Sequence, residues 1–94
     1  MPAEKNVYDL KDFHADVPSQ QIQFYKLNPD GTFENGTTLE EMLRVSIERL
    51  TDLNRRFFCE ENKVALQKMN EALMWLNKRT QDRIARGVEG THKA

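Results

Sequence analysis

Apolar residues recur every three or four positions between Glu60 and Arg86, in a run that contains no Pro and no Gly and is rich in Leu, Ala, Met, Glu, Lys, Arg and Gln. These side chains lose little freedom in a helix, so the spacing predicts one long helix over 60–86. At ~100° per residue, Ala65, Leu66, Met69, Ala72, Leu73, Leu76, Thr80 and Ile84 share one face, which requires a partner. A second stripe, Glu61, Val64, Lys68, Trp75, Arg79, Asp82 and Arg86, falls well away from it. An indole among cations has two readings. Trp75 and Val64 form an interface with another subunit, the Lys and Arg stems covering the ring, or the stripe holds an anionic ligand beside an aromatic platform.

The preceding segment is amphipathic at the same period. Leu39, Met42, Leu43, Ser46, Ile47, Leu50, Leu53, Asn54 and Phe57 line one side of a helix over 38–56. Thr38-Leu39-Glu40-Glu41 reads as a capping box, with the Thr38 hydroxyl closing the first amides and Glu41 reaching back. Only Phe57 to Glu61 separates the two patterns, which forces the helices antiparallel as a hairpin.

Upstream the pattern is weaker. Val7, Leu10, Phe13 and His14 recur at three and four, predicting a short helix over 6–15 that ends before Pro18 and is stable only when docked. From Gln20 the period changes to two, with Ile22, Phe24 and Lys26 on one side and Tyr25 and Leu27 on the other. Asn28-Pro29-Asp30-Gly31 is a turn, and Thr32-Phe33-Glu34 returns to Asn35-Gly36. Residues 20–36 therefore form an extended and turn region, either a small hairpin or an ordered loop. The fold class expected is mainly all-α: one domain over 1–94, with a short N-terminal helix, an irregular connection, a helical hairpin and a tail over 87–94.

Size changes this picture. At 94 residues and 38% hydrophobic content a single core is marginal, and a homo-oligomer would supply the missing burial. A net charge of −1 excludes a generally basic binder of DNA or RNA polymers. Its distribution is uneven: residues 1–54 carry five Lys/Arg against ten Asp/Glu, and residues 55–94 carry nine against five. An acidic front and a basic back are either two solvated faces or surfaces for opposite charge. One cysteine excludes an intramolecular disulfide and a multi-cysteine zinc site and fits a cytoplasmic setting. No stretch approaches the roughly 20 apolar residues that span a bilayer, and the start lacks a signal peptide's apolar core.

Candidate chemistry is sparse. His14 and His92 have no Cys or carboxylate at metal-ligand spacing, so no metal is expected, and no glycine-rich phosphate loop follows a strand. Cys59 is a small plug of the hairpin turn or, without a neighbouring base, a poor nucleophile. The expectation is a non-enzyme without a cofactor. Tyr8 is a packing residue or a flat ring with a hydroxyl for a ligand, and Lys26 is a solvated edge charge or a point charge for a phosphate. Gly90 and Thr91 belong to a disordered tail or donate to a phosphate as a backbone nest does.

The strings Leu53-Asn54-Arg55-Arg56-Phe57, Cys59-Glu60-Glu61-Asn62, Glu71-Ala72-Leu73-Met74-Trp75-Leu76, Arg79-Thr80 and Gly87-Val88-Glu89-Gly90-Thr91 occur in this order, with His14-Ala15-Asp16-Val17-Pro18 ahead of them. The whole resembles the small phage-encoded anti-CBASS proteins, cyclic-nucleotide sponges that share a helical hairpin with an anti-Thoeris sponge family. The resemblance implies a cytoplasmic homohexamer that sequesters cyclic oligonucleotide messengers of the infected bacterium without cleaving them. It implies a cyclic dinucleotide pocket, for a ligand such as cyclic GMP-AMP, with Tyr8 stacking on a base, Lys26 on a phosphate, and Gly90 and Thr91 closing over it. For a possible cyclic trinucleotide, Lys68, Arg79 and Arg83 are the candidates on the basic helix. The alternative, from the Trp75 stripe alone, is a helical adaptor or scaffolding protein that binds a partner protein.

Overall fold

The computed structural model describes residues 5–14 and 19–87. The chain divides into two units, Met1–Thr38 and Leu39–Ala94, the first built of short strands and the second of two helices.

In the first unit, β1 (Val7–Leu10) pairs antiparallel with β2 (Gln20–Gln23), placing Val7 opposite Gln23, Tyr8 opposite Ile22 and Leu10 opposite Gln20. This corrects the helix expected over 6–15. The three-to-four spacing of Val7 and Leu10 is genuine, but a segment this short has little helical stability of its own. The β-forming pair Val7-Tyr8 instead gains ladder bonds and cross-strand contacts. Two polar pairs reinforce the ladder: Gln21 Nε2 donates to Asp9 Oδ1 at 2.9 Å, and the Ser19 hydroxyl donates to the Asp12 carboxylate. Pro18, assigned to end that helix, lies outside the described residues.

The extended region is a hairpin, one of its two expected forms. β3 (Lys26–Leu27) pairs antiparallel with β4 (Phe33–Glu34), Lys26 facing Glu34. Its turn closes through Gly31 N–H to Asn28 O at 3.1 Å and Asn28 N–H to Thr32 O at 2.8 Å. Gly31 takes φ +89°, a left-handed conformation that other residues rarely adopt. Asp30 accepts from both the amide and the hydroxyl of Thr32, and these bonds hold its carboxyl below the ordinary range. Beyond β4 the chain comes back alongside Phe24, which forms a parallel bridge with Thr37. Gly36 lies there so close to the backbone of Gln23 to Tyr25 that no side chain fits.

In the second unit, α1 (Leu39–Arg56) and α2 (Glu60–Ala85) form the expected hairpin. Helix α1 starts directly after Thr38, and the Glu41 carboxylate holds Arg44 one turn on, at 2.8 and 3.0 Å from its Nε. Cys59 has a structural role that its sequence did not suggest, as the N-cap of α2. Its backbone is extended, its Sγ accepts from Asn62 N–H at 3.4 Å, and its own N–H donates to Asn54 Oδ1 at 3.2 Å. Arg86 caps the other end, and Gly87 N–H donates to Ile84 O at 2.9 Å.

The half-buried positions of α2 are Asn62, Leu66, Met69, Leu73, Leu76, Thr80 and Arg83, separated alternately by four and three residues. On α1, Glu40, Leu43, Ile47, Leu50 and Asn54 follow the same rule, with Met42, Thr51 and Leu53 beside them. An alternation of three and four is a period of 3.5, the seam of a coiled coil. An Arg79 to Glu40 ion pair at 3.0 Å ties late α2 to the start of α1, which makes the helices antiparallel. The expected apolar faces were wider than this seam: Leu39, Phe57, Ala65, Ala72 and Ile84 lie outside it and are exposed. Among the described residues none is fully buried.

Candidate ligand-binding site

Tyr8 stands on β1 directly opposite Ile22, so the two share a face of the ladder, and Phe24 is the next residue on that face. The Tyr8 and Phe24 rings meet edge to face, centroids 5.8 Å apart at 80°. On β2 and β3 the alternation of half-buried and exposed positions runs Ile22, Phe24, Lys26, as the period of two predicts. Lys26 therefore continues the row that contains Tyr8's neighbours. From Ile22 to Lys26 an extended chain covers at most about 14 Å.

Two cations attend this row. Lys26 is held by Glu34, Nζ to Oε2 3.5 Å, and its side chain is only 14% exposed. A phosphate arriving at Lys26 has to share it with that carboxylate or displace it. Lys5 was not singled out from the sequence; its Nζ lies over the Tyr8 ring, 4.7 Å from the centroid. Its backbone carbonyl also faces the Tyr8 hydroxyl, at 3.5 Å. A lysine three residues before a tyrosine is a weak signal in sequence, and Lys5 lies outside β1, which starts at Val7.

The helix candidates are arranged differently. Lys68 and Arg79 are exposed and Arg83 is half-buried on α2. At 1.5 Å per residue, Lys68 and Arg79 are separated by about 16 Å along the axis, and Arg79 is already engaged with Glu40. Within one chain these three do not converge on a common point. Trp75 and Val64 are exposed on α2, the indole at 57%. A groove on a different side of α2 is lined by Asn70, Leu73, Met74, Asn77, Lys78 and Gln81. Gly90 and Thr91 lie outside the described residues. Among the described residues no group of three or more His, Cys, Asp or Glu could hold a metal ion, and no helix is long and apolar enough to cross a membrane.

The described residues thus comprise a heptad-patterned helical hairpin and a small β-ladder unit that bears an aromatic row with cations beside it. A family model described as "Acb2/Tad1, hairpin domain" matches residues 18–81, and the chain belongs to that family. It is 42% identical over 85 residues to "Thoeris anti-defense 1" of Bacillus phage SBSphiJ7. That alignment takes in 89% of this chain and 58% of the relative, so the chain spans little more than half of that protein's length. The family span includes Lys26, the whole seam as far as Thr80, and Trp75; Lys5 and Tyr8 precede it.

Proposed function

We propose that this chain is a phage anti-defence protein that binds cyclic oligonucleotide messengers and keeps them from their effectors without cleaving them. Membership of the hairpin family is the observation that carries the reading. Cyclic dinucleotides such as cyclic GMP-AMP are the first ligand class, and cyclic trinucleotides are a second. The system silenced is CBASS, on the resemblance of the hairpin strings, and the name of the Bacillus phage relative adds Thoeris as the other target to test. The protein acts in the cytoplasm of the infected cell.

The dinucleotide site combines Tyr8 as the stacking ring and Lys26 as the phosphate ligand. A base stacked on an aromatic side chain contributes ~1–3 kcal/mol and a charge-assisted hydrogen bond ~1.5–3 kcal/mol. Such a pair gives tight binding only in a rigid pocket. Rigidity comes from assembly into a homohexamer. Supporting this, Met74, Trp75 and Ile84 of α2 are large apolar side chains left exposed in the single chain. The trinucleotide candidates Lys68, Arg79 and Arg83 converge only if several copies contribute them.

The test is to titrate the protein with a panel of cyclic di- and trinucleotides, then denature the complex and identify the released nucleotide. Intact ligand supports sequestration. A linear product makes the protein a nuclease, and failure to bind any of the panel leaves the adaptor reading, for which the exposed Trp75 is the surface. Phage plating on hosts carrying CBASS or Thoeris then assigns the defence.

A further inference from the structure

We propose that Lys5 is a binding residue of the same site: its ammonium rests on the Tyr8 ring in the free chain and moves to a phosphate of the nucleotide whose base takes that ring. The inference depends on the dinucleotide reading above and adds to it a residue, a charge and an order of events.

Three observations lead there. The Lys5 Nζ stands 4.7 Å over the Tyr8 centroid, so the surface a base would stack on already carries a cation. Strand β1 fixes the ring, because Tyr8 is in register with Ile22 and its ring is braced against Phe24. Lys5 lies just before that strand and is exposed, so its four-carbon stem can swing without disturbing the ladder. A cation over an exposed ring is a weak contact, whereas an ammonium donating to a phosphate oxygen is a charge-assisted bond of roughly twice the neutral strength. A nucleotide brings base and phosphate together, so the base that displaces the ammonium also supplies its better partner. The other cation of the row, Lys26, is tethered to Glu34. Lys5 and Lys26 then address separate phosphates of a doubly charged ring, and a ligand with a single phosphate engages only one of them.

The experiment titrates the full chain and its Lys5→Met and Lys5→Arg variants with cyclic GMP-AMP by calorimetry, at low and at high salt. Met keeps a long apolar stem against Tyr8 and removes only the charge. The expected result is that Lys5→Met binds about tenfold more weakly or worse and responds less to salt, while Lys5→Arg retains most of the affinity. If the unsubstituted chain binds and Lys5→Met matches it in affinity and salt response, the inference is overturned and the dinucleotide reading stands. If Lys5→Arg loses as much as Lys5→Met, the stem's fit rather than its charge matters, which also overturns it. If the unsubstituted chain binds no cyclic nucleotide, the reading of the site fails first and Lys5 falls with it.

Discussion

The substitution Gly36→Ala isolates the strand unit from the hairpin. A Cβ at Gly36 would stand 2.5 Å from Gln23 O, 2.6 Å from the Phe24 carbonyl carbon and 2.8 Å from Tyr25 N. All three are backbone atoms, so no rotamer change relieves them, and ordinary carbon contacts begin at about 3.5 Å. The segments must therefore part by most of an ångström. The two bonds that join them, Thr37 N–H to Gln23 O and Tyr25 N–H to Thr37 O, are each 2.9 Å and do not survive that shift. Two lost bonds at about 1 kcal/mol each, plus overpacking strain of at least ~1 kcal/mol, give about 3 kcal/mol or more. Amide hydrogen exchange followed by NMR is the assay. Tyr25 and Thr37 should lose protection while the amides of α1 and α2 keep theirs, because the helical seam is formed within its own unit. Lys26 is the residue after Tyr25, so cyclic dinucleotide affinity should fall as well. Unchanged protection at Tyr25 and Thr37 would refute the close packing of Gly36.

Tyr8→Ala or Lys26→Ala should each weaken cyclic dinucleotide binding about tenfold or more without changing the oligomer; unchanged affinity for both in calorimetry would refute the site. Glu34→Gln removes the carboxylate that competes for Lys26, and should tighten the same ligand by a few-fold, as expected for release of a pair worth under about 1 kcal/mol; a weaker complex would mean that Glu34 positions Lys26 rather than competing for it. Hydrogen bonds from Arg44 hold the Glu41 carboxyl below its ordinary value of 4.5, so the folded state binds that proton less readily than the unfolded one. The stabilisation is complete above the ordinary value and is lost as pH falls through the folded one, so the melting temperature should fall in acid, and less steeply in Glu41→Gln when followed by circular dichroism.

The hairpin was legible because its signal is long and repeated. A 26-residue helix and an 18-residue helix each carry several turns of one period, and a three-residue break between them permits only an antiparallel return. The width of the buried face was harder to read. A tolerance of one sector around the helix admits Ala65, Ala72 and Ile84 along with the true seam, and only the partner helix selects the 3.5 period. The N-terminal segment was misread for the opposite reason. Val7, Leu10, Phe13 and His14 satisfy a helical spacing over barely two turns, too short for local preference to outweigh pairing with a strand more than ten residues away. At Lys26 the sequence located the residue on the correct face, but its ion pair with Glu34 depends on the register of β3 with β4. At Cys59 the sequence points to a plug or a nucleophile, whereas the sulfur N-cap depends on the Asn62 N–H pointing at Sγ.

The exposed row of α2 that runs through Asn70, Met74, Asn77 and Gln81 allows assembly to be tested separately from the ligand. Asn70, Asn77 and Gln81 are carboxamides on that exposed side, and such groups fix register when they face one another at a seam. The Asn70 side chain donates to Leu66 O at 2.9 Å. If copies meet along that row, Asn77→Lys in every copy would bring like charges together there. The lone-chain hairpin should tolerate the change, since Asn77 is exposed and off the α1 seam. Analytical ultracentrifugation should therefore show a smaller species with undiminished helix content. Ligand binding on that smaller species decides where the site is built. Retained affinity would confine the pocket to Tyr8, Lys26 and Lys5 of one chain, and lost affinity would mean that neighbouring copies complete it. An unchanged sedimentation coefficient would remove this row from the interface and return the Trp75 and Val64 stripe as the surface on which the copies meet.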